Sequence, residues 1–149
     1  MKLIYCTDYI ITEEACHRHV DLGFALSEDA KGLKIVYSYS PKSYEGEDAL
    51  QMATEAFKEA YGNHPIDIEE VKGELPLNNH VTLSVEKDGR LIGTAHRHNN
   101  NIVVEISRDM ATVGFKPTEI TKGEYKITLS VHAILCKVKA HIEVYAYEL

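Results

Sequence analysis

The side chains best suited to chemistry in this sequence are its histidines. There are eight among 149 residues, and two His-x-His triplets occur, His17-Arg18-His19 and His96-Arg97-His98. Imidazole is the commonest zinc ligand, and alternate residues of a strand point to the same face. A metal site needs three or four convergent ligands, and spacing alone does not show convergence. The sequence therefore favours no metal and no cofactor, with a His-rich metal-binding protein or metallohydrolase as an alternative.

The run that ends in Asn99, Asn100 and Asn101 is typical of a polar turn. In that interpretation His96 and Arg97 bond to backbone or to a neighbouring strand. Outward tyrosines offer a second contact surface, because aromatic side chains on a sheet face can hold a ligand or another domain. We expect ligand or partner contacts, if any, at the residues of these two surfaces: His96, Arg97, His98, Tyr145 and Tyr147, with Tyr125 as a further outward tyrosine.

Catalytic patterns are absent from the sequence. Ser84, Ser107 and Ser130 lack the context of a nucleophile elbow, and no glycine-rich phosphate loop occurs. We therefore expect no catalytic residues and no enzyme activity.

The three cysteines form no close pair, and an odd number cannot complete a disulfide framework. They fit a reducing compartment. Cys6 and Cys136 lie in segments of periodic apolar residues, so we expect them to be buried as small hydrophobic side chains. For Cys16 the sequence does not decide whether the side chain is buried in this way.

The net charge of −7 and the lack of a basic cluster argue against a nucleic-acid partner. No apolar run is long enough for a membrane span, and the N-terminal residues lack the apolar core of an export signal. We expect a soluble cytoplasmic protein whose residues 1–149 form a single domain.

Hydrophobic periodicity predicts mainly strands. Apolar and polar residues alternate with a period of two in most segments, and Asp88-Gly89 between two of them is a strong hairpin signal. One segment, about 46–61, instead has apolar residues at helical spacing, and Gly62 is placed to cap it. The predicted strands are 3–11, 19–26, 33–40, 80–86, 91–96, 102–106, 124–131 and 138–147, with an extended segment at 111–117 and a loop with one short strand at 63–79.

One-sided alternation in eight or nine strands is typical of two antiparallel sheets that pack face to face. We therefore predict a mainly all-β fold, a β-sandwich of jelly-roll type with one short amphipathic helix inserted. The helix is expected to lie flat on the sandwich or across one open end.

An ordered series of short motifs adds a resemblance to a known family. The motifs, in order, are Ser38-Tyr39-Ser40-Pro41, the strand and turn 83–90, Gly93-Thr94-Ala95-His96-Arg97, the strand 101–107, the segments 111–117 and 120–129, and His132. This series resembles the N-terminal β-sandwich accessory domain of the CehA/McbA family of PHP-type metallohydrolases. The chain departs from the family pattern at Tyr125, where Trp is usual, and at His98-Asn99-Asn100, where glycines are common.

In those hydrolases a catalytic PHP barrel follows the sandwich, and this sequence does not contain that barrel. The resemblance therefore implies a non-catalytic accessory or interaction module, which acts with a protein partner or by self-association. The two His-x-His triplets are not to be equated with the metal motif of the PHP barrel. A small-ligand or carbohydrate-binding module is the first alternative function.

Overall fold

Period-two alternation along the chain produces two four-stranded antiparallel sheets. The structure is a computed structural model and describes residues 1–62 and 64–149, so Asn63, where the predicted loop begins, lies outside the described residues. The strands are β1 (Lys2–Ile11), β2 (His19–Leu26), β3 (Gly32–Ser40), β4 (Ser43–Tyr44), β5 (Leu77–Asn78), β6 (His80–Lys87), β7 (Arg90–Ala95), β8 (Asn101–Ser107), β9 (Gly123–Ala133) and β10 (Val138–Tyr147). The helices are α1 (Ala49–Tyr61) and α2 (Ile68–Gly73), and one 3₁₀ turn covers Glu13–Ala15.

The strand order is that of a jelly roll. The first sheet has the order β1-β10-β3-β8 and the second sheet the order β2-β9-β6-β7, while β4 and β5 pair with each other. Among the eight long strands, the first pairs with the last, the second with the seventh, the third with the sixth and the fourth with the fifth. These nested pairs confirm the predicted all-β jelly-roll sandwich.

The core lies between the two sheets and is made by the inward residues of each strand. Ile127 and Leu129 on β9 and Ile142 and Val144 on β10 are all fully buried, as their alternation predicts. Their polar neighbours in sequence point outward, so each sheet has one outer face on which polar side chains can meet.

The segment that joins β8 to β9 closes one side of the sandwich. Ala111 bridges to Ile106 at the edge of the first sheet, and Phe115 bridges to Gly93 at the edge of the second. A side chain at Gly93 would overlap backbone atoms of Gly114 and Phe115, so this close approach requires glycine. The segment predicted as extended therefore contributes isolated bridges, not a strand.

The β6–β7 hairpin turns at Asp88 and Gly89. Both residues have positive φ angles, 47° and 81°. Two consecutive residues of this conformation match the right-handed twist of the flanking strands, which is why Asp-Gly predicted the hairpin correctly.

The helical region differs from its prediction. The main helix α1 begins at Ala49, and the predicted loop contains a second helix, α2. Ala49 and Ala53 on α1 and Val71 on α2 are buried, and the two helices are in contact. Helix α1 contacts α2, and its placement flat on the sandwich or across one open end stays a prediction.

Two predicted side-chain positions are also wrong. Cys6 is exposed, because β1 has a bulge between Leu3 and Tyr5 that shifts the phase of the alternation before Cys6. Tyr125 is 2% exposed and lies in the core, where its ring stacks on Phe24 at 5.3 Å between ring centroids.

Candidate functional site

Four histidines meet on the outer face of the second sheet, at one end of it. His80 begins β6 and His132 lies near the end of the neighbouring strand β9, while His96 and His98 follow the end of β7. Val81 on β6 and Val131 on β9 are inward and buried, so the alternation turns His80 and His132 outward. We call His80, His96, His98 and His132 the histidine cluster.

The imidazole rings of the histidine cluster lie in direct contact. The ring of His80 stacks on that of His98 at 4.4 Å between centroids and lies 4.8 Å from that of His132. His96 completes the group, at 5.4 Å from His132 and 5.9 Å from His80. Each histidine thus contacts at least one other ring of the cluster.

The polar contacts of the cluster are incomplete. The hydroxyl of Thr82 lies 2.9 Å from Nε2 of His132, and Thr82 is 1% exposed although it is on the outer face of the sheet. Nε2 of His80 is buried and has no hydrogen-bond partner among the residues that the structure describes. A buried polar atom without a partner is unusual in a native structure and calls for an explanation.

The electrostatic environment favours the neutral forms of His80 and His132. Burial lowers the pKa of His80, and the neighbouring His98 and His132 lower it further, while a backbone hydrogen bond with Arg97 offsets part of this effect. Burial also lowers the pKa of His132, with added repulsion from His96 and from two further histidines, His19 and His17. A neutral imidazole has a free lone pair, which is the form that binds metals.

The other His-x-His triplet lies beside the cluster. The backbone N–H of His17 donates to the carbonyl of Val131 at 2.8 Å, and His17 has a φ of 64°. Nδ1 of His19 lies 3.0 Å from the hydroxyl of Ser130. The fold thus brings both triplets to the end of the second sheet where His132 lies, although about eighty residues separate them in the chain.

The ring spacing of the cluster is compatible with a zinc ion. With Zn–N bonds of about 2.0–2.1 Å in tetrahedral geometry, imidazole centroids lie roughly 5 Å apart. The observed distances of 4.4–5.9 Å bracket that value. The ring nitrogens of the histidine cluster do not converge on one point in this structure. In the described part of the chain, the group whose ligand atoms all lie within 4.8 Å of one another is a different one, Cys6, His141 and Glu143.

That second group lies on the outer face of the first sheet. Nδ1 of His141 is 2.5 Å from Oδ1 of Asp8, and Nε2 is 3.0 Å from Oε1 of Glu143. The hydroxyl of Tyr145 donates to Oε2 of Glu143 at 2.6 Å. The hydrogen bonds to Glu143 and Asp8 raise the pKa of His141, so a proton is readily held between these carboxylates.

The predicted contact residues fall on two separate faces. His96 and His98 belong to the histidine cluster, and the guanidinium of Arg97 reaches the carbonyl of Val113 at 3.4 Å. Tyr145 and Tyr147 lie on the outer face of the first sheet, and the hydroxyl of Tyr147 donates to Glu105 at 2.8 Å. The structure therefore does not bring the predicted loop and the predicted tyrosines together.

Sequence reasoning missed His80 as a member of the site. Its place at the start of a predicted strand was evident, and the alternation puts it on the same face as Thr82. The pairing of β6 with β9 joins distant parts of the chain, and no local sequence pattern indicates it. This pairing places Ser130 opposite Thr82 and so brings His132 close to His80.

Comparisons with known proteins add no functional information. No protein-family model matches the chain, and no curated protein matches it. The crystal structure of GEBA250068378 from Sulfurospirillum deleyianum is similar over 95% of this chain and 98% of that one, with 12% sequence identity and a TM-score of 0.38. A score this low carries no argument. Among the described residues, no helix is long and apolar enough to cross a membrane.

Proposed function

We propose that the protein binds a divalent transition-metal ion, of the class that includes zinc, through the histidine cluster. The observation that carries this proposal is the buried Nε2 of His80, which has no hydrogen-bond partner in the described part of the chain and belongs to a ring 4.4–5.9 Å from three other imidazoles between centroids. Leaving such a group unpaired costs about 1–3 kcal/mol. A bound metal ion would give this nitrogen a partner and use the neighbouring rings as further ligands.

The lowered pKa values of His80 and His132 support a metal ion over an anion. An anion would be held by protonated imidazoles, but burial and mutual repulsion disfavour protonation of His80 and His132. Neutral imidazoles suit zinc, copper and nickel, and affinity for such nitrogen ligands is highest for copper and high for zinc. The proposal thus takes up the alternative of a His-rich metal-binding protein, and the expectation of no metal, drawn from the sequence, stays the competing prediction.

The fold divides the ligands into a fixed pair and an adaptable pair. His80 and His132 lie on paired strands, which restrict their backbone positions. His96 and His98 are exposed and follow the end of β7, so their side chains can change rotamer at small cost. Metal binding would therefore require rotation of these two side chains, to bring their nitrogens towards those of His80 and His132.

The test is a zinc titration of the metal-stripped Cys6→Ser protein, which lacks the exposed thiol of the first sheet, against a chromophoric chelator at pH 7.5. This parent protein is expected to compete for zinc, and adding His80→Ala or His132→Ala is expected to lower the affinity at least tenfold. His64→Ala serves as the matched control, since His64 is exposed and outside the cluster. Circular dichroism checks that each variant is folded. Unchanged affinity when His80→Ala is added and the variant is folded, or no competition by the Cys6→Ser parent, would refute the proposal.

A further inference from the structure

The outer face of the first sheet carries a separate constellation that does not involve the histidine cluster. Cys6 on β1 is the direct cross-strand partner of Glu143 on β10, and Asp8 is the direct partner of His141. All four side chains are outward, because their neighbours Ile142 and Val144 are buried in the core. Two pairs of chemically reactive side chains therefore form a square patch on one surface.

We infer that Cys6, His141 and Glu143 form a second metal site, for a divalent ion of the zinc class. Their ligand atoms, the thiol sulfur, an imidazole nitrogen and a carboxylate oxygen, all lie within 4.8 Å of one another. Sulfur, nitrogen and oxygen are the ligand atoms that zinc takes in proteins, with bond lengths of about 2.0–2.3 Å. Three ligands on an exposed face leave the fourth position of a tetrahedral ion to solvent or to a ligand.

Two hydrogen bonds around the patch orient the ligands as they do in known metal sites. Asp8 accepts from Nδ1 of His141 at 2.5 Å, which leaves Nε2 directed at Glu143. A carboxylate on the far nitrogen of a ligating histidine fixes its tautomer and raises its basicity. Tyr145 donates to the second oxygen of Glu143 at 2.6 Å and so holds that carboxylate in place. Two of the three ligands, His141 and Glu143, are thus held by a second partner.

The charges of the patch also match a dication. With the thiol of Cys6 ionised, Cys6, Asp8 and Glu143 contribute three negative charges, and Lys139 contributes one positive charge at 3.7 Å from Asp8. When His141 is protonated in the metal-free state, a proton lies between its Nε2 and Oε1 of Glu143, which are 3.0 Å apart. Binding would transfer that proton and the thiol proton to solvent, and form one bond each from sulfur, nitrogen and oxygen to the metal.

This site differs from the histidine cluster in having sulfur as a ligand, which gives it its own spectroscopic signature. Cobalt(II), the probe ion, absorbs in the near ultraviolet by charge transfer from a bound thiolate. We expect this band when reduced, metal-stripped wild-type protein is titrated with cobalt(II). Cys6→Ser is expected to abolish the band, and Cys16→Ser is the matched cysteine control that should keep it.

Two further variants separate this inference from the proposed function. Asp8→Asn is expected to weaken cobalt binding at this site about 10–100-fold, through loss of the carboxylate that orients His141. His132→Ala should leave the charge-transfer band intact, since His132 lies on the other sheet. Absence of the band in folded wild type, or its persistence in Cys6→Ser, overturns the second site without affecting the histidine cluster.

Discussion

Asn79 is expected to be one of the most sensitive polar residues of the fold. It is 0% exposed, and its side chain connects two other segments: Nδ2 donates to the carbonyl of Pro41 at 2.9 Å, and Oδ1 accepts from the backbone N–H of Leu135 at 2.8 Å. It directly precedes His80, so it also fixes the start of β6. Asn79→Ala removes both hydrogen bonds at once.

The cost of Asn79→Ala follows from these contacts. Two hydrogen bonds contribute about 0.5–1.5 kcal/mol each, and leaving the partly buried groups on Pro41 and Leu135 without partners adds to the loss. We expect a destabilisation of about 2–4 kcal/mol. For a chain of this length, 1 kcal/mol shifts the melting temperature by about 2–4 °C, so the expected fall is roughly 4–16 °C.

The neighbouring asparagine supplies the control. Asn78 is exposed, and its side chain accepts a hydrogen bond from the half-buried Ser43. Asn78→Ala is expected to change the stability by less than about 0.5 kcal/mol. Thermal and urea unfolding of both variants give the comparison. Equal stability of the Asn78 and Asn79 variants would refute the role assigned to Asn79.

Two further variants test the core. Ile127→Asp places an unpaired charge at a fully buried position and should prevent folding, because this burial costs several kcal/mol against a total free energy of unfolding of roughly 5–15 kcal/mol. Val103→Asp is the control and should fold, because Val103 is 46% exposed. If Ile127→Asp melts at the same temperature as wild type, the inward orientation assigned to Ile127 is wrong. Burial raises the pKa of Tyr125 to about 12. The folded state then keeps a proton that the unfolded state loses above pH 10, so this contribution to stability is lost as the pH rises from 10 towards 12, at about 1.4 kcal/mol per pH unit. Tyr125→Phe should reduce the slope of unfolding free energy against pH in that window, and an unchanged slope contradicts the assignment.

The interaction-module hypothesis stays a prediction, as does the resemblance to the accessory domain of PHP-type hydrolases. Light scattering of the purified protein, with pull-down from cell extract, tests association with itself or with a partner. A monomer that captures no partner would remove the hypothesis. Metal binding at either proposed site is compatible with such a module, and the expectation that the chain is not an enzyme is a separate prediction.

The sandwich was predictable from the sequence where side-chain alternation is regular. β9 and β10 alternate without interruption, so Ile127 and Ile142 were placed in the core correctly. The bulge in β1 has no comparable signal, and it moved Cys6 from the expected core to the outer face. Helix α2 was missed because it is six residues long and has few apolar residues, too few to show a period.

The candidate sites were less predictable than the fold, because both depend on which strands are neighbours. His96 and His98 were identified from their spacing, but His80 and His132 join them through the pairing of β6 with β9. Likewise, Cys6 and Glu143 lie far apart in the chain and meet through the pairing of β1 with β10. The periodicity of one sequence predicts on which face of a sheet a side chain lies. Which residues of other strands lie beside that side chain depends on long-range strand pairing, which the periodicity does not indicate.

The most direct test of metal binding by the histidine cluster is an X-ray absorption spectrum of zinc-loaded protein. The Cys6→Ser variant is loaded with one equivalent of zinc, so that the thiol-containing patch does not contribute. We expect a first shell of nitrogen at about 2.0–2.1 Å, with the outer-shell scattering of at least three imidazoles, and loss of this signal in the double variant that also carries His80→Ala. Zinc that stays unbound, or a shell without imidazole scattering, would contradict the account.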